Sequence, residues 1–246
     1  LYGTLGNQMF QYALYLAMNS RGNECKVTSK HNLIKSCFNL NPHFADKRNL
    51  EAVGVKCGFF ARLFGKKHNP QQVDDNGSFD RTIFDKQNSF FRGKWLSYRY
   101  FDSIAKDIRL CYVWNTPPSF KLIELEKQLE ATESVIITIS SPRKKSSTCT
   151  ADYYNWAIAH MKSFLGDCNF FVFTNDVKWT RKKLIAENLN IINSKQFSEN
   201  ELLRITSKGK HNILANTANS WWSGWLNNNP DKIVIAPKKW SPECNP

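Results

Sequence analysis

The sequence predicts an α/β protein whose sheet is parallel and doubly wound. Strand and helix patterns alternate from residue 135 to the end of the chain. Residues 135–139 (VIITI) form a continuous apolar run, as expected of a strand that is buried on both faces. A glycine turn followed by a helical pattern opens the chain at residues 3–20. Alternation of this kind is typical of parallel sheets covered by helices.

The first half of the chain begins with strand-like, glycine and helical patterns in succession. Residues 7–20 carry apolar side chains at helical spacing, Gly22 ends that helix, and residues 25–28 indicate a strand. Between residues 30 and 130 the pattern is harder to interpret. Aromatic-rich pieces lie at 59–60, 90–91 and 95–101, a polar loop is expected at 69–76, and a helix at 120–130.

The second half alternates clearly. Strands are expected at 135–139, 170–173, 191–192, 213–215 and 233–236, and helices at 152–164, 177–188 and 220–226. A capping box, Ser198-x-x-Glu201, opens one further helix. Because doubly wound sheets bind ligands at the carboxyl ends of their strands, we expect a binding site at residues 140–147, 174–176 and 216–220.

The chain is strongly basic. Lys and Arg number 34 against 21 Asp and Glu, a formal net charge of +13. Such a charge favours polyanions, but no zinc-finger spacing, RNA-binding signature or long basic arm accompanies it, so we predict no nucleic-acid partner. A solvated positive surface is the simplest interpretation, and an anionic membrane surface or a charged donor substrate stays open. With no apolar run near ~20 residues and no signal segment, we expect a cytoplasmic protein, with peripheral membrane association left open.

Cysteine and histidine patterns indicate neither disulfides nor metal. The seven cysteines are scattered without a C-x-x-C pair, which favours reduced thiols. The five histidines show no ligand spacing with Cys, Asp or Glu, so no structural or catalytic metal is expected.

Two segments have the composition of a phosphate site. Gly3-x-x-Gly6-Asn7 precedes a helix whose first N–H groups suit a diphosphate, although many strand-to-helix turns need glycine for backbone reasons alone. Residues 216–226 also join a strand to a helix, which Asn219 or Ser220 would cap. The tryptophans of this segment indicate core packing, with an indole beside a sugar or nucleobase as the alternative.

Ordered blocks along the whole chain resemble one enzyme family. The blocks are GTLGNQMFQYA (3–13), GKWLSYRYF (93–101), CTADYY (149–154), FVFTNDVKW (171–179) and KHNILANT (210–217), the last continuing through SWW (220–222) and WLN (225–227) to IAPKKW (235–240). In this order they resemble the bacterial α-1,2-fucosyltransferases of glycosyltransferase family 11.

That resemblance implies a GT-B fold, two Rossmann-like halves facing a cleft, with an acceptor-side domain at 1–130 and a GDP-fucose-binding domain at 131–246. It implies inverting, metal-independent transfer of L-fucose from GDP-fucose to a galactose-type hydroxyl of a glycan. No cofactor is expected beyond the donor substrate. The resemblance places Gly6 and Asn7 at the diphosphate and Asp176 near the guanosine, and it places Asn216, Thr217 and Ser220 near the phosphates.

The chain departs from the pattern of the family at its arginine motif. Its members carry His-x-Arg-Arg-Gly-Asp after the first strand of the second half, and an arginine there stabilises the leaving diphosphate. Aligned without gaps, this chain has Thr138, Ser140 and Ser141 in place of the histidine and both arginines. We assign the catalytic role to Asn7 and Arg143. The positive charge of Arg143, or that of Lys144, would replace the charge of the missing arginines. The alternative is an impaired or inactive relative that retains nucleotide or glycan binding.

A second signature is also altered. Asn219 stands where the family has phenylalanine, and Ser223 stands where it has glycine. Together with the missing arginines, these changes favour a re-specialised or weakened member as the alternative to a fully active one.

Overall fold

The computed structural model describes residues 1–28, 33–55, 72–140, 142–143 and 149–240. It divides into two compact units, Leu1–Asn115 and Thr116–Pro246. This division falls earlier than the boundary of 130/131 expected from the sequence. The reason is the helix Phe120–Glu130, whose Leu122 and Leu129 pack against Ile136 and Phe171 in the sheet of the second unit.

In the described part of the amino-terminal unit, helices contain more residues than strands do. Its helices are α1 (Leu5–Ser20), α2 (Leu33–Cys37), α3 (Lys47–Ala52) and α4 (Ala105–Cys111), and its parallel strands are β1 (Gln72–Asp74) and β2 (Phe90–Arg92). Short 3₁₀ turns occupy Arg81–Asp85, Tyr98–Tyr100 and Asp102–Ile104. The expected strand at 25–28 is present only as an isolated bridge between Val27 and Phe44. The polar loop expected at 69–76 instead contains β1, while the aromatic pair at 59–60 lies outside the described residues.

Two buried glutamines of α1 hold the surrounding loops. Gln8 donates its amide to the carbonyl of Gly3 at 3.1 Å and accepts the N–H of Ile34 at 3.3 Å. Gln11 exchanges hydrogen bonds with both backbone groups of Tyr2 and also donates to the carbonyl of Gly93 at 3.1 Å. Buried amides are tolerated when their donors and acceptors are satisfied in this way, so both residues fix the opening of the chain.

The second unit is built on a parallel sheet, as the sequence predicts. Its described strands are β3 (Ser134–Ile139), β4 (Asn169–Thr174), β5 (Leu189–Asn193), β6 (His211–Ile213) and β7 (Val234–Ile235). They lie in the order β5-β4-β3-β6-β7, and every pairing is parallel. The central strand β3 pairs Ile137 with Val172 on one side and with Ile213 on the other.

Helices cover both faces of this sheet. They are α5 (Phe120–Glu130), α6 (Ala151–Leu165), α7 (Val177–Lys183), α8 (Glu199–Thr206) and α9 (Ala218–Leu226). On one face, Val135 and Ile137 pack with Tyr154 and Ile158 of α6. On the other face lie α5 and α8. Helix α7 ends at Lys183, before the expected 188, because Leu184 adopts an extended backbone and is buried in the first of these cores.

A polar network closes the amino ends of the central strands. The Glu133 carboxylate accepts from Lys210 Nζ at 3.0 Å and contacts His211 Nε2 at 2.6 Å. His211 Nδ1 accepts the N–H of Ile233 at 2.9 Å, so the ring proton is on Nε2 and is donated to Glu133. These bonds tie the segments that precede β3, β6 and β7 together. They lie at the opposite edge from the expected binding site.

Candidate functional site

The strand order reverses between β3 and β6. Strands β4 and β5 extend the sheet to one side of β3, and β6 and β7 extend it to the other. A crevice forms at such a switch point, outside the carboxyl ends of the strands, and ligands of open α/β sheets bind there. Here the residues that follow β3 and β6, together with the start of α9, form this edge.

Two hydroxyl groups join β3 to α9 at the switch point. Thr138 Oγ1 and Ser220 Oγ lie 2.5 Å apart. The N–H of Ala215 lies 3.2 Å from the first hydroxyl and donates to the second at 2.8 Å. Thr138 is half-buried and Ser220 is buried. Ser220, expected at a phosphate, therefore positions the start of α9, and Thr138 binds the helix from the position where the resembled family has histidine.

Helix α9 is capped by Thr217, whereas Asn219 or Ser220 was expected from the sequence. The backbone of Thr217 is extended, and its hydroxyl accepts the N–H of Ser220 at 3.2 Å. The expectation was wrong because α9 begins at Ala218, so that Asn219 and Ser220 already lie inside its first turn. The N–H groups at the start of any helix lack intrahelical acceptors, and the helix dipole adds positive potential there. The start of α9 thus has the properties of an anion site.

The amide of Asn216 is held on both sides. Its Nδ2 donates to the carbonyl of Trp240 at 3.2 Å, and its Oδ1 lies 3.6 Å from Cys149 Sγ. Asn216 and Thr217 are both half-buried. The structure therefore brings these two predicted residues and Ser220 into one turn, between β6 and α9.

Arg143 forms an ion pair with Asp176. Its Nε lies 2.5 Å from Oδ2, and its Nη2 lies 3.3 Å from Oδ1. Asp176 also caps α7 by accepting the N–H of Trp179 at 3.0 Å. The Arg143 guanidinium, and after it this N–H, hold the pKa of Asp176 below its usual range, while Asp176 raises the pKa of Arg143. The two predicted site residues thus neutralise each other between the carboxyl ends of β3 and β4.

The tryptophans of α9 divide between core and surface. Trp222 is fully buried, whereas Trp221 and Trp225 are half-buried and stack with their ring centroids 6.2 Å apart. The core interpretation therefore holds for Trp222. Trp221 and Trp225 retain partly accessible indole faces.

The glycine turn belongs to the amino-terminal unit. Gly3 has a φ of +86°, and a Cβ there would lie 2.7 Å from Asn7 Nδ2, so the position requires glycine. Gly6 is buried inside the first turn of α1, and Asn7 is half-buried. Thr4 caps the helix. The backbone explanation for the glycines is thereby supported at Gly3, and a ligand role for Gly6 and Asn7 stays a prediction.

Neither metal ligands nor disulfides are found in the described ranges. No group of three His, Cys, Asp or Glu side chains converges there. Cys25, Cys37, Cys111, Cys149 and Cys168 form no disulfide in this part of the chain. Ser140 is exposed after β3, and Ser141 and Lys144 fall outside the described residues.

Sequence reasoning missed the contact between Thr138 and Ser220. The two residues are 82 positions apart, and their proximity depends on β6 being placed beside β3. A local pattern carries no such information. The sequence shows only that each residue has a hydroxyl side chain, Thr138 near the end of β3 and Ser220 near the start of α9.

Comparison with known proteins identifies the class. Residues 136–244 match the model of Glycosyl transferase family 11. The "Alpha-1,2-colitosyltransferase" of Escherichia coli is 29% identical over 272 aligned positions, which cover 98% of this chain and 90% of that protein. The "O-antigen biosynthesis glycosyltransferase WbnK" of Escherichia coli is 37% identical over 91 residues, which cover 36% of this chain and 30% of that relative. No solved structure matches the chain.

These matches place the chain among the glycosyltransferases, which are transferase enzymes. The resemblance to glycosyltransferase family 11 is confirmed, and the segment that matches the model of that family lies in the second unit, from β3 to beyond β7. None of the helices in the described part of the chain is long and apolar enough to cross a bilayer.

Proposed function

We propose that this protein is an inverting galactoside α-1,2-fucosyltransferase that uses GDP-fucose as its donor. The start of α9 at the β3/β6 switch point is the observation that carries the proposal. It presents helix N–H groups beside Asn216 and Thr217, and it lies inside the segment that matches the family. Anionic diphosphates bind at helix starts in this position of open α/β sheets.

The proposed chemistry needs stabilisation of a leaving diphosphate. When an acceptor hydroxyl attacks the sugar, the bond to GDP breaks and negative charge grows on the β-phosphate. In the proposed complex, N–H groups at the start of α9 and the hydroxyl of Thr217 donate to its oxygens. Arg143 would add a full positive charge after exchanging Asp176 for phosphate. Asp176 would then be available to the guanine N–H groups.

The same proposal includes the two-domain arrangement, the glycan acceptor and the cellular location of the enzyme. A GT-B arrangement, with Gly6 and Asn7 contributing to the diphosphate site, follows from the sequence resemblance. The relatives act, by their names, in O-antigen biosynthesis and in α-1,2 transfer. A cytoplasmic enzyme that elongates a glycan, with peripheral attachment to a membrane, agrees with the net charge of +13.

A second candidate is an impaired relative that binds nucleotide without efficient transfer. The observation that favours it is local. Thr138 and Ser140 replace the histidine and one arginine of the family motif, and Arg143 is neutralised by Asp176. Losing one donor to a developing oxyanion costs about 3–4 kcal/mol, or two to three orders of magnitude in rate.

A transfer assay separates the two candidates. Purified protein is incubated with GDP-fucose, with and without lactose, and GDP release and product linkage are measured. The first candidate predicts lactose-dependent GDP release and an α-1,2-linked fucosyl product. GDP-linked colitose, tested in parallel, asks whether the donor sugar is that named for the relative.

A restored variant serves as the internal control. The substitutions Thr138→His, Ser140→Arg and Ser141→Arg rebuild the family motif. Turnover by this variant alone would establish the natural chain as an impaired member. Failure of both forms to bind GDP would contradict the proposed donor site.

A further inference from the structure

A concavity in the amino-terminal unit lies among three segments of the chain. These are the end of α1, residues 79–85 and residues 98–102. Its volume is about 540 Å³, within the range of small-molecule sites. The last segment belongs to the block at 93–101, one of those by which the chain resembles its family and one to which the proposed donor site gives no role.

Three guanidinium groups line this concavity. They belong to Arg21, Arg81 and Arg99, and the carboxylates of Asp85 and Asp102 also lie on its wall. Within the described ranges, no carboxylate lies within ion-pair distance of any of the three arginines. Positive charges on one wall without ion-pair partners repel one another, and an anion that binds among them removes this cost.

Two of the arginines are fixed by aromatic rings. The guanidinium carbon of Arg21 lies 3.8 Å from the ring centroid of Phe84, and that of Arg99 lies 4.2 Å from that of Phe79. Arg21 also donates to the carbonyl of Ala17 at 2.9 Å. Arg21 Nη2 donates further to Ser103 Oγ at 3.3 Å. Each ring covers one face of its guanidinium group, and the remaining N–H donors lie at the edge, from which a guanidinium binds carboxylate or phosphate.

The two phenylalanines rest on a buried tyrosine. The ring centroids of Phe79 and Phe84 lie 4.8 and 6.2 Å from that of Tyr100, which is 1% exposed. The Tyr100 hydroxyl accepts the N–H of Asp80 at 3.0 Å and donates to the carbonyl of Ser78 at 3.1 Å. The aromatic rings that contact the guanidinium groups of Arg21 and Arg99 are therefore packed against a buried side chain. Ordering the guanidinium groups in advance lowers the entropy lost when a ligand binds.

The rest of the wall suits a sugar. Tyr98 is 50% exposed and offers an aromatic face for the C–H groups of a pyranose ring. Asp85 and Asp102 are exposed acceptors for sugar hydroxyls. An uncharged sugar would contact only Tyr98 and the two carboxylates, and the three guanidinium groups would then have no anion to bind.

We propose that this concavity binds an acidic saccharide, a sugar that carries a carboxylate or a phosphate. The oxyanion binds the edges of Arg21 and Arg99 with Arg81 nearby, and the ring lies against Tyr98. The assignment of this saccharide to the acceptor side rests on the proposed function. Binding itself does not, because it involves the amino-terminal unit and requires no transfer.

Titration of the full chain tests the inference. D-Galacturonate, D-galactose 1-phosphate, D-galactose and inorganic phosphate are titrated separately by calorimetry at low salt. We expect at least one acidic sugar to bind at least tenfold more tightly than galactose, and to weaken as salt is raised. The two acidic sugars distinguish a carboxylate from a phosphate. Equal affinity for galactose and both acidic sugars, or inorganic phosphate binding as tightly as galactose 1-phosphate, overturns the proposal.

Matched variants locate the binding. Arg99→Gln should weaken the preferred sugar about ten- to a hundredfold, the effect of one lost charge-assisted contact. Arg48→Gln, an exposed arginine on α3 outside the concavity, should leave it unchanged. Equal effects of both variants overturn the site. GDP affinity, measured on the same samples, should stay constant in Arg99→Gln, so failure here is distinguishable from failure of the donor site.

Discussion

Arg143 lies close to the segment in which this chain departs from the arginine motif of the resembled family, and its partner Asp176 lies in a segment that matches the family. The family's motif supplies arginines directly after the first strand of this half, and here a serine occupies that position while Arg143 follows three residues later. The structure shows this arginine bound to the carboxylate that caps α7. The side chain of Arg143 is 65% exposed and that of Asp176 is 24% exposed. Solvent therefore screens the guanidinium side of the pair, and a phosphate can compete for the guanidinium.

Arg143→Gln should weaken GDP binding about tenfold, because one charge-assisted contact to the diphosphate is removed. Isothermal titration calorimetry with GDP measures the effect. Arg181→Gln, an exposed arginine in the last turn of α7, is the matched control and should bind GDP as the natural chain does. Unchanged affinity in Arg143→Gln would remove this residue from the donor site.

Asp176→Asn separates two roles of the carboxylate. Asparagine caps a helix about as well as aspartate, so α7 should persist. If Asp176 binds the guanine base, as we propose, the variant should bind GDP several-fold more weakly while its affinity for inorganic diphosphate is equal or higher. Fluorescence competition with the two ligands measures both. Tighter binding of GDP would show that Asp176 only restrains Arg143.

At the level of elements, two features fix the start of α9: the cap Thr217 and the contact between the hydroxyl groups of Thr138 and Ser220. Sequence reasoning located this turn correctly as a strand-to-helix junction but chose the wrong cap. It also found the capping box at α8, which the structure confirms with Ser198 and Glu201 in reciprocal hydrogen bonds. Local chemistry is sufficient for the box because its partners are three residues apart. It is insufficient for Ser220, whose hydroxyl is bound by Thr138 on a distant strand.

Thr217→Ala should weaken GDP binding, and it should also lower the free energy of unfolding by about 1 kcal/mol through loss of the cap. Ser198→Ala removes the cap of α8, which follows the edge strand β5, and should cost similar stability. Only the first variant should change GDP affinity. Urea denaturation and GDP titration on both proteins provide the comparison, and equal GDP affinities would contradict a donor site at α9.

The Glu133 network makes the second unit sensitive to acid. Hydrogen bonds from Lys210 first, and then from His211, hold the pKa of Glu133 below its ordinary value of 4.5. A carboxyl whose pKa is lowered by folding stabilises the folded chain above its unfolded pKa, and this contribution is lost as the pH falls through the lower, folded pKa.

Glu133→Gln should therefore flatten the decline of the unfolding free energy below about pH 4.5. Denaturation curves collected from pH 7 down to the acid transition measure that slope. Glu130→Gln, an exposed neighbour at the end of α5, should retain the natural slope. An identical slope in all three proteins would show that the network does not contribute.

For the whole molecule, the second unit could be predicted from the sequence far better than the first. The run at 135–139 identified β3, and alternation with α6 and α7 implied the parallel sheet. In the first unit, the three-residue strand Gln72–Asp74 has a polar sequence that gave no strand signal. It is stabilised by pairing with Phe90–Arg92, a contact across the chain that periodicity cannot reveal.

The proposed donor site shows the same limit. The edge of the sheet was predictable, because strands of a parallel sheet all end on one side. The order of the strands in the sheet was not predictable, and this order decides which side chains come into contact. Thr138 meets Ser220, and Arg143 meets Asp176, only because β3 lies between β6 and β4.

Hydrogen–deuterium exchange of the full chain with and without saturating GDP tests the proposed donor site most directly. We expect slower exchange in residues 216–220 at the start of α9 and in the residues that follow β3 and β4, while exchange in the Glu133 network at the opposite edge stays unchanged. Protection confined to other segments, or none at a GDP concentration shown by calorimetry to saturate the protein, would contradict a diphosphate site at the β3/β6 switch point.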